Sequence, residues 1–488
     1  MLNKITLLLL MLFSFASAEW SSPIRISAHG GYSTPQIIAN EDTLYVVTMA
    51  SNGRDKICFI KSTDMGISWS QERALSDTLN TGDILFPQIL MNNQNIVVLW
   101  RCYFLQNDSY NIGCRLSTNG GRSWRPISYA LNPGLTGPYY LAASSADSII
   151  NIAYCKDIDG AMAYYSLKSM DFGHTWTSPT QILETLFSDV PDQVSIDNTV
   201  HLVWAGFFNQ QESGDVYYNR STDNGNTWYP RIPISRPDIY PSEIASICSN
   251  ESGKLTICWM DFKDSPYIST GDIFIRQSAD TGSTWLQEQQ ATFTHYAWGS
   301  DVAANGDTIQ IVWNDEESGI ANKSIYYTKS TDNGISWNEP YWIDGTLDDS
   351  WDPAIESNNG KVYVVWGDGT YNQDTTSHWG LYFSRWDPDP DAIDGDILQQ
   401  PIGNSLSAYP NPFNSSTIIG SSFFNLNRID IYDVQGRLIK SLLIKGGENG
   451  KIIWDATDAM GNKVSSGIYF AKAEASQESS IIKLLYIK

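Results

Sequence analysis

The sequence predicts an all-β chain: a β-propeller, with seven blades favoured and six as the alternative, followed by a small β-sandwich. Three observations carry that prediction. An eight-residue box (Ser/Thr, any, Asp, any, Gly, any, Ser/Thr, Trp) occurs six times, at intervals of 55, 52, 52, 57 and 52 residues. Short strand-like stretches surround each box, about four to a period, which is the pattern of a propeller blade. From Ala408 on the repeat is absent and a different strand pattern begins.

The chain opens on an export signal, expected over residues 1–18. Lys4 supplies the charge, Ile5 to Phe13 a short apolar core, and Ala16-Ser17-Ala18 the small residues of a cleavage site. The apolar run is shorter than the ~20 residues a membrane-spanning helix needs, and no later segment is long and apolar enough. The expectation is a mature protein outside the cytoplasm, beginning at Glu19, with no transmembrane anchor.

Lys and Arg total 31 against 54 acidic residues, for a net charge of -23. That balance argues against nucleic acid and anionic membranes as partners, since both need a basic surface. The six cysteines leave two readings open. Cys102 with Cys114 and Cys248 with Cys258 flank predicted hairpins and could bridge, or all six are free buried thiols. His29, His174, His201, His295 and His378 fall at unrelated repeat positions with no zinc-ligand spacing, so no metal and no cofactor are expected.

The first box is Ser62 to Trp69, and the others start at Ser117, Ser169, Ser221, Ser278 and Ser330. Asp64, Asn119 (in place of Asp), Asp171, Asp223, Asp280 and Asp332 are read as turn-makers, because Asp and Ser side chains close tight turns on nearby backbone groups. The Gly takes a backbone angle that a Cβ disfavours, and the Trp is expected to fold under the turn and be buried. Before each box runs a strand such as Ile325 to Lys329. An apolar strand often ending in Trp precedes it, as in Val97 to Trp100, and a strand starting near a proline comes earlier still, as in Pro35 to Ile38.

A seventh set of strands follows the last box: Asp352 to Ile355, Val362 to Trp366 and Leu381 to Arg385. It lacks a box and an outer strand. Trp20 to Ser27 matches Trp337 to Asp344 residue for residue in spacing, with Ile26 six after Trp20. The chain ends would then share one blade and close the ring, leaving no open sheet edge.

The expected propeller spans 19–386, with an acidic, Pro-containing linker over 387–407. Asp387, Asp389 and Asp391 alternate as in a calcium loop, but Ala392 and Leu398 stand where that loop needs Gly and Glu. Residues 408–488 are expected to form an Ig-like module, with strands at Ile429 to Val434, Leu438 to Leu443, Ile452 to Trp454 and Ile468 to Ala473 and a hairpin turn at Gln435-Gly436.

Asp boxes in a propeller resemble the sialidase (neuraminidase) superfamily, the BNR-repeat proteins, over about three quarters of the chain. That resemblance implies an enzyme with three arginines clamping a substrate carboxylate, an Asp acid/base and a Tyr nucleophile activated by a Glu. Arg231-Ile232-Pro233 is similar to a family signature but follows the fourth box, whereas the family has it before the first. The nearest candidate there, Arg25, lacks the proline. Arg101, Arg220, Arg276 and Arg385 fall on middle strands, where long cations commonly cover a surface. The arginine clamp is not evident. The tail resembles the C-terminal sorting domain of type IX secretion substrates and FlgD-like Ig domains, through Tyr409-Pro410-Asn411-Pro412, Ile431 to Arg437, Ser466 to Phe470 and Lys483 to Lys488. This implies a Gram-negative host, handling by the type IX machinery, and secretion or surface display.

The starts of the innermost strands should ring the central channel. They carry Asp192, Glu243, Asp301 and Asp352, with Trp298 and Trp351 beside the last two. Carboxylates there would repel an anionic sugar and suit a neutral sugar stacked on Trp, a cation, or a glycosidase pair with one carboxyl kept protonated; the plainer reading is that they cap strand starts or are solvated. The functional expectation is a propeller engaging extracellular glycans, with glycosidase activity left open. The alternative is a non-catalytic binding or scaffold propeller for a glycan or surface protein.

Overall fold

The computed structural model describes residues 19–387 apart from short segments (28–31, 52–54, 77–80, 107, 132–137, 159, 208–213, 264–270, 295, 317–322, 345–348 and 371–377). Beyond these it describes 406–409, 417–421, 428–443, 451–475 and 478–486. The expected signal segment, His29, His295 and most of the expected linker lie outside the described residues. Two compact units divide the chain after Ala392.

In the first unit the described residues form seven antiparallel sheets, six of them simple meanders in sequence order. Their innermost strands are Tyr32–Asn40, Thr81–Asn92, Tyr140–Ala146, Asp192–Ile196, Ser242–Ser249, Ala297–Asn305 and Asp349–Asn358. Each contacts the next, and the last contacts the first, so the sheets close into a ring. They are numbered here as blades 1 to 7. Blade 7 is completed by the N-terminal segment: Trp20 pairs with Trp386, and Ile24 and Arg25 pair with Phe383 and Tyr382.

The core lies between blades. Val97 and Leu99 of blade 2 pack with Leu141 and Ile150 of blade 3, and Leu44 and Val46 of blade 1 with Tyr363 and Phe383 of blade 7. Trp100, Trp204, Trp259, Trp313 and Trp366, which end the apolar second strands, are almost fully buried. The six cysteines are free.

Every box folds the same way. In the first, the Ser62 hydroxyl donates to Asp64 Oδ1 at 2.6 Å and accepts from Gly66 N at 2.8 Å, while Ser68 N and Oγ donate to the two Asp64 oxygens at 2.8 and 2.5 Å. Gly66 has φ +88°, and an added Cβ would sit 2.4 Å from the Phe383 ring. Asn119 keeps the fold with one bond reversed, its Nδ2 donating to Ser123 Oγ at 2.7 Å.

Two features of the boxes depart from expectation. Their tryptophans are half-buried rather than buried, and three of the indoles lie edge-on to a ring of the preceding blade: Trp69 on Phe383, Trp124 on Phe59, Trp285 on Tyr218. Trp20 packs the same way on Tyr327, so the N-terminus supplies the seventh blade with its wedge as well as its strand. The second departure concerns cations on the third strands, four of which tie blades together at the boxes rather than cover a surface. Lys61, Lys168, Arg220 and Arg385 donate to the carbonyls of Gly120, Asn224, Thr281 and Met65, each in the next box around the ring.

The second unit is a sandwich of a three-stranded and a four-stranded sheet. Ile419 and Trp454 from one sheet share a core with Ile431, Ala471 and Leu484 from the other. Gly436, at φ +76°, turns the hairpin between Arg428–Asp433 and Leu438–Leu443. Asp387 belongs to the last propeller strand, and a strand at Leu406–Tyr409 opens the sandwich, so both ends of the expected linker are strand.

Candidate functional site

The ring encloses an axial cavity of about 800 Å³ lined by residues from all seven blades. Five of these are acidic: Asp189, Asp192, Asp301, Asp352 and Glu356. Among the described residues that line it, none is Arg, Lys or His. The lining follows from a backbone irregularity shared by blades 1, 2, 5, 6 and 7. Each inner strand bulges near its start, with Thr34, Phe86, Ile244, Gly299 or Asp352 at positive φ. A bulge resets which side chains face inward.

Asp301 and Asp352 line the cavity after such a bulge and Asp192 from the regular inner strand of blade 4, whereas Glu243, Trp298 and Trp351, each the last paired residue before its bulge, do not. Glu243 is half-buried, and its carboxyl is pushed up by burial and by Asp189 nearby. Trp298 is half-buried beneath Lys323, whose Nζ stands 5.3 Å from its ring. Lys323 also lies close enough to Asp352 to oppose the upward shift that burial gives that carboxyl. Sequence reasoning missed Asp189 and Glu356, whose one signal was an acidic residue near an inner strand.

Most of the cavity carboxyls stitch neighbouring blades. Asp192 of blade 4 accepts from Ile247 N of blade 5 at 2.8 Å, and Asp301 of blade 6 from Ile355 N of blade 7 at 3.0 Å. Asp352 of blade 7 accepts from Thr34 N of blade 1 at 3.2 Å, and Asp189 of blade 4 from Ile244 N of blade 5 at 3.3 Å. These bonds satisfy backbone donors on inner strand edges that have no ladder partner.

Ser246 joins the two best-held carboxylates. Its Oγ lies 2.9 Å from Asp192 Oδ2 and 2.7 Å from Asp301 Oδ1. A hydroxyl has one proton to donate, so one of the two carboxyls is best satisfied when it carries a proton itself. Asp192 and Asp301 each keep some surface open to the channel while being surrounded by protein. Burial pushes Asp192 up to about 6, with Ile247 N–H opposing and Asp301 adding to the rise. Burial and then Asp301 push Glu356 up to about 8. Among the described residues no hydrogen bond reaches the Glu356 carboxyl, which makes it the uncommitted acid of the cavity.

The arginines stand elsewhere. Arg25 and Arg231 are on or beside outer strands, Arg276 donates to the carbonyls of Pro233 and Ile234, and Arg101 and Arg385 are buried. His201 is buried against the Tyr218 hydroxyl at 2.6 Å, and burial lowers it to about 4. Among the described residues no group of three His, Cys, Asp or Glu side chains is placed to hold a metal ion, and no helix is long and apolar enough to cross a membrane.

The architecture is thus an Asp-box β-propeller followed by a β-sandwich. Residues 407–488 match the family described as the secretion system C-terminal sorting domain. The chain carries that sorting domain, which marks it for the type IX route to the cell surface or extracellular space. No curated protein matches the chain in sequence. Among solved structures, a protein of unknown function from Dyadobacter fermentans is 14% identical with a TM-score of 0.50, covering 76% of this chain and 99% of that one. An ulvan lyase of polysaccharide lyase family PL25, bound to -[GlcA(1-4)Rha3S]-, is 10% identical with a TM-score of 0.54, covering 74% and 95%. The NanB sialidase of Streptococcus pneumoniae also matches, at 14% identity and a TM-score of 0.42, covering 74% and 69%. At these identities the likeness is one of fold.

Proposed function

We propose that the propeller engages an extracellular glycan of neutral sugars at its axial cavity. The carrying observation is the lining itself: five carboxyls and no cation among the described residues, in about 800 Å³. That volume falls within the roughly 300–1,000 Å³ of small-molecule sites. Sugar hydroxyls donate well to carboxylates, whereas the carboxylate of a sialic acid would meet like charge and no guanidinium. A protein of similar fold holds a polysaccharide, which supports the glycan class. Its ligand contains a uronic acid, which this lining disfavours. Under this reading the propeller runs from Glu19 to Asp387, and the tail that begins with the strand at Leu406 is removed or anchored after export from a Gram-negative cell.

Titration of the full chain against neutral and sialylated oligosaccharides tests the reading. Neutral ligands should bind, Asp352→Asn should weaken them at least tenfold, and sialic acid release from a fluorogenic sialoside should stay at background. Binding confined to acidic glycans, or release of sialic acid, would sink it.

One observation favours hydrolysis as a second reading. Glu356 is protonated at neutral pH and stands beside Asp301, the acid-next-to-carboxylate arrangement that glycosidases use. Asp192 and Asp301 share the Ser246 hydroxyl, at 2.9 and 2.7 Å. Their carboxyls are thus already bonded, so Glu356 is the stronger candidate for the acid. Glu356→Gln should then abolish release of reducing ends from a bound glycan without weakening its binding. No release by the wild-type chain would leave binding as the function.

A further inference from the structure

In a repeat protein each blade is an internal reference for the others, and a buried side chain that breaks the pattern needs a reason of its own. Arg101 breaks it. It follows Trp100 on the second strand of blade 2, where the residues after Trp204, Trp259, Trp313 and Trp366 are Ala205, Met260, Asn314 and Gly367. Its side chain is 9% exposed, and burying a guanidinium is costly unless every donor is used. Here they are not all used. Nη1 donates to the Tyr139 carbonyl at 3.1 Å, but Nε is buried with no partner. Nη2 stands 3.7 Å from the carboxylate of Asp83, which is 64% exposed. The head is locked in place by the rings of Phe86 and Tyr110, at 5.7 and 5.1 Å.

Aromatic rings continue from this point in both directions. Outward from Tyr139, which directly precedes the inner strand of blade 3, Tyr110 and Tyr103 succeed one another at centroid distances of 5.9 and 4.8 Å. Tyr103 is fixed by its hydroxyl, which donates to Asp108 at 2.6 Å. Gly82 makes room for it, since a Cβ there would stand 2.8 Å from the ring. Inward, Phe86 lines the axial cavity. A path of aromatic surface therefore runs from the cavity across the rim where blades 2 and 3 meet, with Tyr139 on it 41% exposed.

We infer that this rim is a second subsite, which takes an outer sugar of a neutral polysaccharide whose inner sugar occupies the axial cavity. The sugar's apolar face stacks on the tyrosines, and two adjacent hydroxyls are shared between Asp83, which accepts, and Arg101 Nη2, which donates. Asp83 and Asp108 disfavour an acidic sugar here as the cavity does. The inference rests on the glycan reading and sharpens it: the ligand is a chain crossing from axis to rim, not a single terminal sugar.

Calorimetric titration of the full chain with matched neutral disaccharides and hexasaccharides of glucan, xylan and mannan tests it. The hexasaccharide of the preferred series should bind at least tenfold more tightly than its disaccharide. Tyr139→Ala and Asp83→Asn, both exposed and each checked for an unchanged circular dichroism spectrum, should cut that advantage to within twofold and leave disaccharide binding as it was. Asp352→Asn should weaken both lengths alike. A length advantage that is absent from the wild type, or that survives Tyr139→Ala and Asp83→Asn, overturns the subsite while the glycan reading stands. If the wild type binds neither length of any series, the glycan reading itself fails.

Discussion

The boxes at the periphery and the carboxyls on the axis use the same side chain to opposite ends. In a box, slight burial pulls the Asp up, but hydroxyl and backbone donors outweigh it, and Asp223 settles at about 2. In Asp280 and Asp332 the hydroxyls of Thr284 and Ser336 lead, again to about 2. On the axis burial wins, taking Asp192 to about 6 and Glu356 to about 8. The boxes are copied around the ring and do one job, closing a turn, and four of them receive a clamp from the blade before. The axial residues differ from blade to blade. In a closed ring of copies, what is repeated holds the ring, and what is not repeated is where a ligand can be told apart.

The largest test of that division removes a latch at the blade that lacks a box. Deleting residues 19–27 strips blade 7 of its outer strand, of buried Ile26 and of the Trp20 wedge on Tyr327. Apolar burial of this extent is worth roughly 5 kcal/mol, or a drop in unfolding temperature of the order of 10 °C. Scanning calorimetry on the deleted and full chains measures it. A drop of only a degree or two would mean that the boxes of the other blades hold the ring without closure.

The ring and its closure were legible because both rest on local pattern. Six boxes at near-constant spacing define the period, and Trp20 to Ser27 reads as a copy of Trp337 to Asp344. The clamps were not legible, because Lys61 and Gly120 or Arg220 and Thr281 meet only through the ring. At the axis, strand starts pointed to Asp192, Asp301 and Asp352, which line the cavity. They also pointed to Glu243, Trp298 and Trp351, which do not. In blades 5, 6 and 7 a bulge sets Glu243, Trp298 and Trp351 apart from the residues that line the cavity, and a bulge shifts the alternation by one. Glu356 was passed over as an ordinary strand residue; only its position near Asp301 gives it meaning.

A pH series sharpens the contrast further. Asp192 and Glu356 have folded-state values above their unfolded ones, so the stability they contribute is full below about pH 4 and is lost as pH rises through about 6 and 8. The box aspartates are depressed, so theirs is present above about pH 4 and lost as pH falls through about 2. The unfolding temperature should therefore peak in mildly acidic buffer and decline towards pH 9. Glu356→Gln should remove part of the alkaline decline, of the order of 2 kcal/mol once channel water is allowed for. A decline of unchanged steepness in that variant would mean that Glu356 ionises freely and the cavity stores no proton there.

The smallest effect is expected from repairing the one imperfect box. In blade 2 Asn119 presents an amide where the other boxes present a carboxylate, and its Nδ2 donates to Ser123 Oγ at 2.7 Å. Its Oδ1 still accepts from Ser123 N at 2.9 Å and from Ser117 Oγ at 3.0 Å. Asn119→Asp would let both Ser123 groups donate to an ionised acceptor, as Ser68 does to Asp64. Because the site is open to water, the gain should be about 1 °C in unfolding temperature at pH 7, and it should vanish below about pH 3 as the new carboxylate protonates. Differential scanning fluorimetry at the two pH values resolves it. A gain of equal size at both would trace the effect to something other than the ionised box, and the periphery would lose its claim to depend on charge at all.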